Sequence, residues 1–562
     1  MSASKPLVAK VFISSVVFLA LLSGCCPIET GAPVAVPIIP TVAPVTPAAA
    51  PTMSPSVPPS PNVLPGENHS PKWVEWCDSM IALPAEWTEK LEEDDLAQLK
   101  NSTVITGLAY IPNQAIIIGS LDAIGATATD INVDFERVEI LSLNLEDEEK
   151  IISLVSTSEF GSELDFIEQF NQAAAGRYGT VAQGAPVAEP NYVIREPDGS
   201  APGSPGSSGV LGDPAARPFV PGKIDTGAFV SQWAFEHIEL KAAGNRGEGV
   251  KIIVFDSSPL PTGYHMVQSG YTQDSSPYSL CVWGAESESE TPIMDSHGLF
   301  IANLAHAVAP DSAIHLVRVL EYDEASGLVH GSLFSVLNAL YVYLESDLRS
   351  YHETGRLDPL TVVNLSLGFA ENLTHLKPTI ESVRDVWGSG GPEDFIVVSL
   401  ETLLSRYDRP GVVFVAAAGN DGRDFPQPPA IYPWVIGVAA TNRNDDLACF
   451  SNGGDVSAPG GDGDGECRID LESSCQYYPD DCDYSVMSVV MTEDGTAAYA
   501  HWAGTSFSTP LVSGISALAL SEETCTSAEC MLGLFCADLA ERPADSPFRC
   551  GLATLTEIEL IP

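Results

Sequence analysis

The stretch GVKIIVFDSS, residues 249–258, is apolar from Val250 to Phe255 except for Lys251, and stops at Asp256. A strand with one wet face alternates polar and apolar residues. This one does not, so both its faces need covering, as in a parallel sheet held between two layers of helices. Working outward, four more runs of the same kind follow at 314–320, 361–367, 412–418 and 434–440. Helical spacing fills gaps between them. After His297, Ile301, Leu304, Ala305 and Val308 share one face, and after Ser506, Phe507, Leu511, Ile515 and Leu518 do the same. The fold class is therefore α/β, a doubly wound parallel sheet flanked by helices over residues 223–522. In such a sheet ligands sit beyond the carboxyl ends of the strands, which makes Asp256 a residue to watch.

Ahead of this body, residues 70–194 read as a smaller α+β domain. It has a strand at 110–119, a helix opened by Ser162 and Asp165 that carries Leu164, Ile167 and Phe170, and a last strand at 187–194. A loose Gly/Pro/Ser linker, 195–222, joins the two. At the start, Lys5 and Lys10 precede an apolar stretch from Val11 to Leu22, a signal-peptide pattern over residues 1–24 that is too short for a comfortable membrane span. Residues 25–69 form a proline-rich stalk, with 12 prolines between Pro27 and Pro65. Residues 523–562 are a cysteine-rich extension.

With 75 acidic and 26 basic residues the formal charge is −49, which excludes a nucleic-acid partner held by phosphate neutralisation. Hydrophobic residues at 45% rule out wholesale disorder. Ten cysteines beyond Cys26 include no CxxC pair, so disulfides in an oxidising compartment are expected. Two bridges belong among Cys525, Cys530, Cys536 and Cys550, with three connectivities open. Nine cysteines follow Gly222, an odd number. Either Cys77 bridges to the large domain or one thiol stays free, and Cys449, beside Phe450, is the candidate for it.

Three polar residues stand at element edges: Asp256 ends a strand, His297 begins a helix and Ser506 begins another. A nucleophilic serine needs an imidazole to take its proton and a carboxylate to orient that imidazole. A helix N-terminus beside the serine also favours a developing oxyanion.

At these residues the chain resembles the subtilisin-like serine proteases, the subtilases, over roughly 230–522. GVKIIVFDSS is similar to their aspartate strand, SHGLFIANLAHAVAP (296–310) to their histidine helix and GTSFSTP (504–510) to their serine motif. VFVAAAGNDG (413–422) and FSNGGDVSAPG (450–460) extend the likeness. The resemblance implies a serine endopeptidase acting through Asp256, His297 and Ser506, with Asn420 and the Ser506 backbone N–H as oxyanion donors. It implies that Ser366, Leu367 and Gly368, in VVNLSLG, pair with an extended peptide. Ala416, Ala417, Ala418 and Gly419 would wall a pocket roomy enough for a large apolar side chain. Protein or peptide substrates, a monomer and no cofactor for the chemistry are expected.

Two departures touch neighbours of the triad: Ser258 stands where the family usually has glycine, and Leu299 and Phe300 follow His297-Gly298. An inactive, stalk-mounted peptide-binding module is the alternative, separable by fluorophosphonate labelling. The 70–194 domain resembles the family's inhibitory propeptide through YIPNQAIIIG (110–119) and AEPNYVI (188–194). Leu22-Ser23-Gly24-Cys25 resembles a bacterial lipobox, which implies a lipid on Cys25 and an extracytoplasmic, membrane-anchored protein. In the acidic insert 461–484, Asp462, Asp464 and Glu466 alternate as structural calcium ligands could, although no complete motif is present.

Overall fold

The computed structural model describes residues 103–554 apart from internal segments, the longest being 197–219, 221–228, 267–279, 285–291, 370–396, 462–484 and 537–547. The expected signal, Cys25, the stalk, Cys77 and the three insert acids lie outside the described residues.

The small N-terminal unit consists of β1 (Ala109–Ser120), α1 (Leu121–Asp130), β2 (Glu136–Leu145), β3 (Glu148–Ser156), α2 (Glu163–Tyr178) and β4 (Val187–Arg195). As expected, Ser162 caps α2, its hydroxyl accepting from the Asp165 N–H at 3.2 Å. The sequence reading missed α1, β2 and β3.

The larger part begins with β5 (Val250–Asp256), β6 (Leu280–Gly284), α3 (His297–Val308), β7 (Ala313–Arg318), β8 (Leu328–Ser332), α4 (Leu333–Thr354), β9 (Leu360–Leu365) and β10 (Gly368–Phe369). It continues with α5 (Val398–Tyr407), β11 (Val412–Ala417), β12 (Val435–Thr441), β13 (Gly454–Pro459), β14 (Val486–Met491), β15 (Ala497–Trp502), α6 (Thr505–Ser521), α7 (Ala528–Phe535) and β16 (Phe548–Leu552).

Its main sheet has the order β16-β13-β12-β11-β9-β5-β7-β6, all parallel, with the two residues His265–Met266 antiparallel at the edge beyond β6. The chain enters at β5, builds one side through β6 and β7, then crosses to β9 on the other. The strand order thus reverses between β5 and β9. Side-chain alternation explains the unbroken apolar run of β5. Ile252 and Val254 pack with Ile301, Leu304, Ile515 and Leu518 of α3 and α6. Ile253 and Phe255 point the other way, onto Leu337, Leu340 and Leu403 of α4 and α5. Each fully buried side chain of this size contributes about 1.5–3 kcal/mol.

A second sheet unites the two parts, in the order β8-β4-β1-β3-β2, with Glu321–Asp323 beyond β8 and β10 also on β4. Tyr110, Ile116 and Tyr192 of the small unit share an apolar cluster with Leu337 and Leu403. Polar contacts add direction. The buried Glu189 carboxylate accepts from Val398 N–H at 2.9 Å and Ser399 N–H at 3.1 Å, capping the N-terminus of α5. Asn191 does the same for α4, its Oδ1 accepting from Phe334 N–H at 3.0 Å.

The C-terminal bridges are Cys525–Cys530 and Cys536–Cys550, one of the three open pairings. The expectation of a free thiol at Cys449 is corrected: this cysteine is exposed and disulfide-bonded. Its neighbour Phe450 is buried in its place, so adjacency to an apolar side chain did not carry the cysteine inward.

Candidate active site

Asp256 is the last residue of β5, at the carboxyl edge where the strand order reverses, and His297 opens α3. The His297 Nδ1 lies 2.8 Å from Asp256 Oδ1, which also accepts from Ser257 N–H at 2.7 Å. Both residues are buried. Gly298 makes the approach possible. A Cβ there would run into the Ser257 carbonyl oxygen and come within 2.8 Å of the Asp256 Cβ. Burial works against a charged imidazole, but Asp256 and the nearby Glu196 outweigh it and raise the pKa of His297 above its ordinary value. Trp502 and Phe507 also pack against the imidazole, each with ring centroid 5.3 Å away and at a steep angle to it.

Ser506 sits in the first turn of α6, just before Phe507, and is 1% exposed. Its hydroxyl donates to the Ser366 carbonyl at 3.4 Å, and the Ser366 hydroxyl donates back to the Ser506 carbonyl at 3.0 Å. This pair ties the serine helix to the end of β9. Asn420 follows β11. Its Oδ1 accepts from Thr505 N–H at 2.9 Å and Thr505 Oγ1 at 2.8 Å, so the carboxamide oxygen is committed to the turn that presents Ser506. Gly419 precedes it at φ +107°, a left-handed conformation, with Gln427 and Asn452 packed where a Cβ would stand.

The family model described as "Subtilase family" matches residues 247–531, just over half of the chain. The chain belongs to the subtilase family. It is 28% identical over 252 residues to "Minor extracellular protease Epr" of Bacillus subtilis (strain 168), covering 42% of this chain and 31% of that protein. It is 29% identical over 231 residues to "Subtilisin-like protease PopC" of Myxococcus xanthus (strain DK1622), covering 40% and 41%. These alignments thus span less than half the length of either protein. A solved structure titled as fervidolysin from Fervidobacterium pennivorans aligns over 82% of this chain and 62% of its own at 18% identity, with a TM-score of 0.47.

In this subtilase chain the two residues Gly368 and Phe369 are already paired with a strand of the small unit. β4 of the small unit lies between β8 and β10, with Arg195 opposite both His330 and Gly368, and Ile194 opposite Gly331 and Phe369. Tyr192 stands edge-on to Phe369 with ring centroids 5.7 Å apart. Ala416, Ala417 and Ala418 run off the end of β11, all fully buried.

Sequence reasoning missed β8 as the second wall, Thr505 as the support of Asn420, and Glu196. Arg195, placed in the linker by the sequence reading, is the last residue of β4, and Glu196 next to it reaches the Asp256–His297 pair. Its Oε1 accepts from Ser257 Oγ at 3.1 Å and lies 3.5 Å from His297 Nδ1. Glu196, Asp256 and His297 form the one group of three potential metal-ligating side chains found among the described residues. Thr505 had a signal, in the GTS of the serine motif. Glu196 had none, since it stands 60 residues before Asp256 in a stretch that reads as a turn.

Proposed function

We propose that this subtilase is a serine endopeptidase displayed outside the cytoplasm on a lipid anchor at Cys25, with peptides and proteins as substrates. The supporting observation is the buried Asp256–His297 pair at 2.8 Å beside the helix that opens on Ser506. In this reading Ser506 Oγ attacks the scissile carbonyl and gives its proton to His297 Nε2, while Asp256 holds the Nδ1–H and stabilises the imidazolium. The tetrahedral oxyanion is met by the Asn420 Nδ2–H and the Ser506 N–H, the latter at the positive end of α6. Collapse expels the amine, which takes the proton from His297, and water then hydrolyses the acyl-enzyme by the same route. An extended substrate occupies the place between β8 and β10, with Ser366, Leu367 and Gly368 along one edge. The unit containing β1 to β4 acts as an inhibitory propeptide, because its last strand fills that place.

Ser506→Ala tests the assignment. The variant should keep the wild-type melting temperature and lose both peptide cleavage and fluorophosphonate labelling. Full activity in it would refute the nucleophile. For the anchor, incorporation of labelled fatty acid should disappear in Cys25→Ser, and label surviving there would refute the site.

A further inference from the structure

Strand β9, LTVVNL, is buried on both faces, yet near its carboxyl end it carries an amide. Val362 packs in the apolar cluster with α3 and α6, and alternation puts Asn364 on that same face, fully buried. A buried amide needs partners, and here they lead to the candidate nucleophile. Asn364 Nδ2 donates to Ser513 Oγ at 3.0 Å, and Ser513 Oγ donates to the Thr509 carbonyl at 2.9 Å, both within α6. Asn364 Oδ1 and the Ser506 carbonyl are the two acceptors of the Ser366 hydroxyl, each at 3.0 Å. Asn364, Ser366, Ser506, Thr509 and Ser513 are all buried.

The helix has a gap at the same place. In a regular α-helix the Ser506 carbonyl would accept from the N–H of residue 510, and residue 510 is a proline inside α6. Pro510 has no N–H to give, and a proline ring crowds the carbonyl four residues before it. We propose that Ser366, oriented by Asn364 and Ser513, is a positioning residue: its hydroxyl supplies the hydrogen bond that Pro510 withholds and so fixes where Ser506 stands relative to His297. The inference rests on the reading of Ser506 as nucleophile and adds how it is held. It concerns the side chain of Ser366, whereas pairing with a peptide uses only the backbone of that residue. The Ser506 hydroxyl itself has the longer contact, 3.4 Å to the Ser366 carbonyl, and cannot fix the turn alone. A closed buried network can, because any member that shifts leaves a partner unsatisfied away from water.

The test is a cycle of variants in the full chain. Ser366→Ala should lower kcat for peptide cleavage about tenfold, as a displacement well short of 1 Å does, and change KM by no more than about twofold. In a Pro510→Ala chain the residue-510 N–H is restored, so the same Ser366→Ala step should cost far less. A hydroxyl that merely stabilises the fold gives equal factors in the two backgrounds, and that result overturns the proposal. An unchanged kcat in Ser366→Ala overturns it too. Ser513→Ala, which removes a single buried oxygen, serves if Pro510→Ala does not fold. It should lower kcat by less than Ser366→Ala and add nothing once Ser366 is alanine, whereas additive losses overturn the link. Hydrogen–deuterium exchange in the first turn of α6 needs no catalysis. It should quicken in Ser366→Ala and slow again when Pro510→Ala is added, and unchanged exchange in Ser366→Ala refutes the tie. If the peptidase reading fails, no chain cleaves peptide or takes up a fluorophosphonate, while exchange still reports on the tie. If only the tie fails, every chain cleaves and the cycle is additive.

Discussion

Replacing Gly298 by alanine tests how closely the histidine helix must approach the aspartate strand. The new Cβ would meet the Ser257 carbonyl oxygen, the Asp256 Cβ at 2.8 Å and the Leu316 Cδ1 at 2.8 Å. Leu316 can rotate away, but a backbone carbonyl and the Cβ of a strand residue cannot. Ordinary contact begins near 3.4 Å, so α3 and the end of β5 must separate by about 0.6 Å or more. Overpacking of this kind costs about 1–3 kcal/mol of stability. The same displacement stretches the His297–Asp256 hydrogen bond from 2.8 Å towards the limit of useful geometry. A misplacement near 1 Å is worth about 100-fold in rate. Gly298→Ala should therefore lose about 10- to 100-fold in kcat with a smaller change in KM, and lower the melting temperature by several degrees. Gly533→Ala is the control, since nothing lies within 4 Å of a Cβ at that position in α7. It should leave activity alone and raise the melting temperature slightly, because alanine is the better helix former. Wild-type kcat in Gly298→Ala, with stability equal to that of the control, would refute the close-approach argument.

Asn420→Ala should reduce kcat about 100- to 1,000-fold through loss of an oxyanion donor. Steady-state kinetics check this, and an unchanged kcat would exclude the amide from that role. Glu189→Ala should weaken the seat of the small unit, since the α5 N–H groups of Val398 and Ser399 lose their acceptor. A cap lost in this way costs about 1 kcal/mol or more, readable as faster protease nicking after β4.

The sheet was legible because burial on both faces leaves no room for polar residues. β5, β7, β9, β11 and β12 all appear as near-continuous apolar runs. The same logic failed for β8, LVHGS, and for β10, only two residues long, whose backbones serve the cleft and whose side chains are mixed. β2 and β3 were missed because acidic residues and a lysine cluster where they meet, as in Glu148, Glu149 and Lys150. Candidate residues that lie in motifs, Asn420 and Ser506 among them, could be picked out from the sequence. Those that act through tertiary approach were not. Glu196 meets His297 across 101 residues of chain, and only the pairing of β4 with β8 and β10 brings it there.

That pairing links the two parts more tightly than a docking surface would. β4 is an interior strand of the combined sheet, with β8 on one side and β1 and then β10 along the other. Without the larger part it would be an edge strand, with Glu189 and Asn191 stripped of the helix ends they cap. Without the small unit, β8 and β10 would flank an open slot, each with unpaired backbone groups facing it. An extended peptide of almost any sequence could supply the missing hydrogen bonds, because strand addition is read mainly by the main chain. If the slot takes substrates as proposed, selectivity among them must come from the side-chain positions along it. One of these, beside Ser257 and His297, is held by the Glu196 carboxyl of the small unit.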